Sequence, residues 1–352
     1  MYKIPKKMSG ILLNGHGGFE SQAFNDNIPV PTPGHHEVLI RVHAAGVNNT
    51  DINTRIGWYS KSDGSSEDAG WSGNALKFPR IQGADICGVI VAVGEGVDES
   101  RIGERVLVEP CFREKEGKAL DHFWYIGSEC DGGFADYTVA PSNHTYSINS
   151  PLSDIQLASF PCSYSTAENL LTKPNVKSSD TVLITGASGG VGSAAIQLAK
   201  ARGAKVIAVT SPAKSEELMK LGADQTVSRS ENMIEALGKD SVDVVIDLVA
   251  GEHWGDLLEV MKPGGRYAVA GAIGGPMVQL DIRTLYLKDL SFFGCTQLAP
   301  EVFANLVHHI EAGNIKPLVA HSFPLKEIDT AQTLFLEKKH TGKIVLSVKD
   351  SH

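Results

Sequence analysis

The sequence is poor in cysteine. Its 352 residues hold five, Cys87, Cys111, Cys130, Cys162 and Cys295, and no two are spaced as a CxxC pair. So sparse and odd a set argues against a disulfide framework or a zinc knuckle and fits a reducing cytoplasm. No apolar run approaches the ~20 residues of a membrane span. The basic start Met1-Tyr2-Lys3-Ile4-Pro5-Lys6-Lys7 is not followed by an apolar stretch, so no secretory leader is expected. Positive charge is not in excess either. The 32 Lys and Arg against 41 Asp and Glu leave a net charge of −9, which speaks against nucleic acid or an anionic membrane surface as a partner. There is no internal repeat and no low-complexity tract.

What remains is an ordinary globular composition, 42% hydrophobic and 21% charged. At ~150 residues per domain the length suggests about two domains. The first 150 residues read as short strands, over 37–44, 87–94 and 105–108. A polar segment at 60–74 reads as a surface loop, and 111–130 is mixed in charge without clear periodicity. From about residue 152, strands alternate with amphipathic helices, the signature of a parallel sheet with crossover helices. Strands are expected at 181–185, 205–210, 242–248 and 266–270, with a helix through 194–200. Ser211-Pro212 offers a helix start and Gly222 its stop. Beyond residue 300, two helices (301–311 and 328–338) precede a closing strand at 342–348. The expected organisation is a β-rich unit over 1–151, an α/β unit over 152–314, and a tail over 315–352 that rejoins the first.

The most informative motif is Gly186-Ala187-Ser188-Gly189-Gly190-Val191-Gly192, placed between an expected strand and an expected helix. Glycines there permit a tight turn and close approach of backbone to a pyrophosphate, and the helix N-terminus supplies free N–H groups to the anion. The next strand discriminates between cofactors. NAD sites place Asp or Glu near its end, about 20 residues after the glycines, but this chain reads Val209-Thr210-Ser211-Pro212-Ala213-Lys214. Without that carboxylate a 2′-phosphate is not repelled, and Ser211, Lys214 and Arg229 are candidates to bind it. NADPH is therefore the expected cofactor; the plainer reading of Lys214 is a solvated helix residue.

The whole pattern resembles the medium-chain dehydrogenase/reductase superfamily. The resemblance rests on Ala44-Ala45-Gly46-Val47-Asn48-Asn49-Thr50-Asp51, Gly83-Ala84-Asp85-Ile86-Cys87-Gly88, Val93-Gly94-Glu95-Gly96-Val97, Gly132-Gly133-Phe134-Ala135-Asp136-Tyr137 and the glycine turn. It implies an α/β protein with a GroES-like β-rich catalytic domain and a Rossmann domain built on a doubly wound parallel sheet. In the family's zinc branch the first cysteine ligand corresponds to Asn48, the His-Glu pair to Ala84 and Asp85, and a third ligand position to Cys162. Amide and methyl groups cannot replace a thiolate and an imidazole around Zn²⁺. The structural-zinc lobe would fall within 109–131, where only Cys111 and Cys130 stand. No metal is therefore expected, and the chain is most similar to the zinc-free quinone oxidoreductase and enone reductase branch.

The resemblance also supplies catalytic candidates. Asn48 offers an amide donor to a substrate oxygen or stabilises its turn, and Thr50 matches a hydroxyl relay or caps a helix. Tyr59 is an acid or oxyanion donor, or a packed aromatic. Asp85 reads as structural and Cys162 as a small buried hydrophobe. At the nicotinamide end, the loops bearing Val249 and Gly271-Ala272-Ile273 are expected to bracket the ring, or are ordinary turns. The run 338–343 resembles the family's basic turn before the last strand, or is a solvated charge run. The segment 290–294 is an edge strand pairing two copies in a homodimer, or an internal strand. Three functions stay open: hydride transfer from NADPH to a quinone or activated alkene, an alcohol or ketone dehydrogenase of the zinc type, and a catalytically silent NADPH-binding protein. The expected partner is a small electrophilic molecule.

Overall fold

The structure is a computed structural model describing residues 2–61 and 69–348, so positions 62–68 of the polar 60–74 segment lie outside the described residues. The chain forms two compact units, Met1–Cys162 with Pro317–His352, and Ser163–Lys316. Among the described residues, no helix is long and apolar enough to cross a membrane.

The first unit is organised by a seven-stranded sheet. Its long strand Glu37–Val47 pairs antiparallel with Asp85–Val93, with Tyr137–Pro141 and with the closing strand Lys343–Ser347. Nearly every residue of Glu37–Val47 is buried, which is why its sequence alternates only in part: a strand covered on both faces reads as a continuous apolar run. The register opposes Gly46 to Asp85 on one side, and Val47 to Ile344 on the other. Asn48, Asp85 and Lys343 therefore share one end of three neighbouring strands. The tail enters this sheet through Val319–Pro324, parallel to Lys343–Ser347, with the helix Ile328–Leu336 as its crossover.

Two local features depart from the sequence reading. The 111–130 stretch is a hairpin, Cys111–Lys115 with Lys118–Tyr125. Much of its second strand is solvent-exposed, so no buried face imposes a period of two. A fully buried carboxylate holds the hairpin's base. Glu109 accepts two bonds from the Arg113 guanidinium, at 2.6 and 3.0 Å, and lies 3.0 Å from His144 Nδ1. Secondly, the first unit extends past residue 151. The short helix Asp154–Leu157 stays with the sheet because Asp154 is bonded to His43 and Arg105.

The second unit carries a six-stranded parallel sheet. In sequence order its strands lie third, second, first, fourth, fifth, sixth: Gln225–Ser228, Lys205–Thr210, Thr181–Ile184, Val242–Asp247, Met261–Val269 and Ser291–Gly294. This is the doubly wound dinucleotide-binding order. Ser211-Pro212 opens a short 3₁₀ turn, Pro212–Lys214, before the helix Ser215–Leu221, which ends at Gly222 with φ 125°.

Arg113→Met should leave the Glu109 carboxylate buried without its bidentate partner. The expected loss is about 3 kcal/mol, as for one partner removed from a buried pair, and denaturant unfolding measures it.

Candidate active site

On the first unit, the strand-end cluster is built around an internal ammonium. Lys343 is 2% exposed and Asp85 is fully buried. Lys343 Nζ donates to Asp85 Oδ2 at 2.7 Å and, in a very short bond, to Asn48 Oδ1. Asn48 Nδ2 donates to the same Asp85 oxygen at 2.8 Å, while the other Asp85 oxygen accepts from the Cys162 backbone N–H. Glycine at position 46 is what permits this. A Cβ there would stand 2.4 Å from Asp85 Oδ2 and 2.9 Å from the Ala158 carbonyl. The remaining hydrogen of Asn48 Nδ2 faces the Gly46 carbonyl at 3.5 Å, a length at which such a bond is weak. That hydrogen is available to a better acceptor.

Asn48 is also the N-cap of the helix Asn49–Ile56, and its backbone N–H donates to Asp51 Oδ2 at 2.7 Å. Thr50 is thus inside the helix rather than its cap. Burial pushes the Asp51 carboxyl up to about 7, against the pull of the Asn48 and Gly83 backbone bonds and of Lys343, with Asp85 adding to the rise. The Tyr59 hydroxyl meets the side chains of Thr50, Asn53 and Trp71, and burial raises its pKa. Tyr59 is therefore a neutral hydroxyl linked to Thr50. The Cys162 thiol lies 2.8 Å from the Tyr125 hydroxyl and is pushed up to about 12, chiefly by burial and then by Asp85, so it is no thiolate nucleophile.

The donor set does not suit zinc. Of the positions matching the zinc branch's ligands, Asn48 and Ala84 offer an amide and a methyl group. Asp85 is committed to the ammonium, and the Cys162 thiol resists ionisation. A dication would be repelled by Lys343. Among the described residues, no three His, Cys, Asp or Glu side chains gather where they would hold a metal ion.

On the second unit, the glycine turn joins Thr181–Ile184 to the helix Gly190–Ala201, capped by Gly189. A Cβ at Gly192 would fall 2.4 Å from the Gly186 carbonyl oxygen, so only glycine lets the helix start this close to the turn, leaving the N–H groups near Gly190 and Val191 to an anion. Lys214 Nζ donates to Ser188 Oγ at 3.4 Å, which ties the end of the second strand to the glycine turn. Burial lowers the Lys214 pKa; Glu217 opposes this, and the Arg229 guanidinium lowers it further. Lys214 thus feels both Glu217 and Arg229, while the strand end itself, Val209-Thr210-Ser211, carries no carboxylate. Arg229 is positioned by its backbone bond to the Thr210 carbonyl, and Thr210 Oγ1 is buried without a hydrogen-bond partner.

The later loops pack against the same turn. A Cβ on Gly186 would touch the Val249 side chain at 3.3 Å, and one on Gly271 would meet the Leu248 carbonyl at 2.8 Å. Gly186, Val249 and Gly271-Ala272 are therefore brought together, whereas Ile273 is 63% exposed. Asp247 anchors this loop. It accepts from the Val249 and Ala250 backbone N–H groups, from Thr185 Oγ1 at 2.6 Å and from the Tyr267 hydroxyl at 2.6 Å. Lys343 and Asp247 are the residues that local sequence signals missed. Lys343 was hidden in a run of charge, and Asp247 at the end of an apolar strand.

Two family models match the chain, an alcohol dehydrogenase GroES-like domain over residues 34–150 and a zinc-binding dehydrogenase domain over 190–312. The chain is 29% identical to quinone oxidoreductase of Rattus norvegicus over 355 residues, covering 97% of this chain and 98% of the relative. It is 29% identical to acryloyl-coenzyme A reductase of Metallosphaera sedula over 352 residues, covering 97% and 100%. A solved structure from Sinorhizobium meliloti 1021, assigned provisionally as an alcohol dehydrogenase, superposes with a TM-score of 0.91 at 45% identity, covering 98% of this chain and 97% of that one.

Asp51 generates a pH prediction. Its carboxyl titrates at about 7 in the fold against an ordinary 3.8. Between those values the folded chain holds a proton that the unfolded chain has lost, so this group makes stability fall as pH rises. Asp51→Asn should remove that component, flattening stability between about pH 4 and 7. Denaturant unfolding across that range reads the slope; an unchanged slope would mean Asp51 is ionised throughout.

Proposed function

The chain belongs to the medium-chain dehydrogenase/reductase superfamily, in its quinone-oxidoreductase-like branch, and on that premise we propose that it is an NADPH-dependent, metal-free reductase of quinones or α,β-unsaturated carbonyl compounds. The observation that carries this reading is the buried ammonium of Lys343 among the residues at the metal-ligand positions. Polarising a simple ketone without a Lewis acid forfeits several kcal/mol of charge stabilisation. A conjugated acceptor needs less, because its developing charge reaches an oxygen that hydrogen bonds can hold.

The nicotinamide, when bound, supplies a hydride to the electron-poor carbon. Gly186, Ser188, Gly189, Gly190, Val191 and Gly192 would cradle the pyrophosphate, Ser211, Lys214 and Arg229 the 2′-phosphate, and Val249, Gly271, Ala272 and Ile273 the nicotinamide end. The acceptor oxygen takes the second Asn48 Nδ2 hydrogen and the Thr50 hydroxyl. Lys343 polarises the Asn48 amide from behind by bonding its oxygen, which makes the Nδ2 hydrogens better donors. Tyr59 passes a proton to Thr50 as Thr50 gives its own to the substrate, and solvent restores Tyr59.

A homodimer is part of the same reading. Ser291–Gly294 is the edge of its sheet, and Phe292 on it is 39% exposed, an edge that a second copy would cover. A second reading, an alcohol or ketone dehydrogenase, is favoured by the provisional assignment of the Sinorhizobium relative.

The test is NADPH oxidation with a panel of enones and quinones after exhaustive dialysis against a chelator. Turnover should persist. Loss of activity that zinc restores, with stoichiometric zinc in the undialysed protein, would favour the alcohol dehydrogenase; tight NADPH binding with no turnover would leave a binding protein. Lys214→Ala and Arg229→Ala should each weaken NADPH by ~10-fold, the worth of a charge-assisted bond, with little change for NADH. Equal losses for both cofactors would mean these cations do not meet a 2′-phosphate.

A further inference from the structure

Trp71 stands out on the first unit because three separate elements fix it. Its backbone N–H donates to Ser128 Oγ at 3.3 Å, and the next N–H, of Ser72, donates to Glu129 Oε1 at 2.8 Å. The other Glu129 oxygen accepts from the Tyr125 backbone N–H at 2.9 Å, so one carboxylate fastens the Trp71 segment to the end of the hairpin. The indole stacks on Tyr125, ring centres 4.3 Å apart at 28°, with Phe123 edge-on at 5.5 Å. The Trp71 side chain is also bonded to the Tyr59 hydroxyl, which in turn meets Thr50. Tyr125 is buried and backs the indole, while Trp71, Tyr59 and Phe123 are each only partly covered.

The hydroxyls of this wall are taken up by neighbours: that of Tyr59 meets Thr50, Asn53 and Trp71, and that of Tyr125 meets Cys162. What the wall presents is ring surface, rigid and adjoining the proposed proton donors. Such a surface rewards flat, conjugated partners, because stacking costs little ordering on either side. Building on the reductase reading above, we propose that Trp71, backed by Tyr125, is a specificity-determining residue that selects acceptors whose carbonyl is conjugated to an aromatic or quinonoid ring over small aliphatic ones.

The experiment compares two acceptors sharing one enone, benzalacetone and methyl vinyl ketone, in the wild type, Trp71→Ala and Trp71→Phe. Trp71→Ala should lower kcat/KM for benzalacetone ~10-fold more than for methyl vinyl ketone, the scale of one lost stacking contact, and Trp71→Phe should restore most of that selectivity. Calorimetric binding of benzylacetone, which lacks the alkene, provides a readout independent of turnover and should weaken by the same ~10-fold in Trp71→Ala. Equal losses for both acceptors, or benzylacetone binding that ignores position 71, would overturn the inference. Binding that depends on Trp71 in a protein that reduces neither acceptor would instead sink the reductase reading and leave the aromatic subsite standing.

Discussion

A carboxylate and an ammonium removed from water are costly to the fold unless each finds the other, and the first unit is arranged so that Asp85 and Lys343 do. The pairing of Glu37–Val47 with the strands on either side brings the two charges to one strand end. Bare backbone at Gly46 leaves room for the carboxylate. Asn48 then has no freedom: its oxygen is claimed by the ammonium and one amide hydrogen by the carboxylate. The orientation of the amide is thus a consequence of the ion pair behind it.

The neighbours of this pair titrate as they do chiefly because they are buried, with the two charges as secondary influences. Asp51 is favoured as the neutral acid chiefly by its own burial, which outweighs the pull of the Asn48 backbone bond and of Lys343. Cys162 meets the same carboxylate through its backbone and is kept as a thiol. One cation is therefore shared by a set of acidic groups, and only Asp85 has it at bonding distance. On the second unit, Lys214 has both Glu217 and Arg229 as charged neighbours, and the effect of Glu217 is the larger.

The legible parts of the fold were those with local physics. The glycine turn, the strands of the parallel sheet and the stop at Gly222 follow from backbone geometry and burial within short windows. The Lys343–Asp85 pair spans 258 positions, and no spacing rule operates over such a distance. Asp85 looked structural because its partner could not be seen, and Lys343 looked like one more charge in a basic turn. The hairpin at 111–130 escaped notice because a mostly exposed ribbon carries no hydrophobic alternation. Trp71 was missed for a related reason: it sits in a polar segment, and its packing partners Phe123 and Tyr125 come from that unread hairpin.

The closing strand has a consequence for biosynthesis. Residues 163–316, an entire compact unit, are translated between Asp85 and Lys343. Until residue 343 leaves the ribosome, the nascent N-terminal sheet has a carboxylate destined for burial and no counter-ion for it, and positions 44–47 of its long strand lack their partner on one side. The intervening unit holds all six strands of its own sheet and is free to fold during that interval, since domains mature as they emerge. The strand-end cluster of Asn48, Asp85 and Lys343 must then close late, by long-range pairing, a step that is slow for entropic reasons. For this chain, the ion pair at the strand end cannot form before the unit between its two halves has been made.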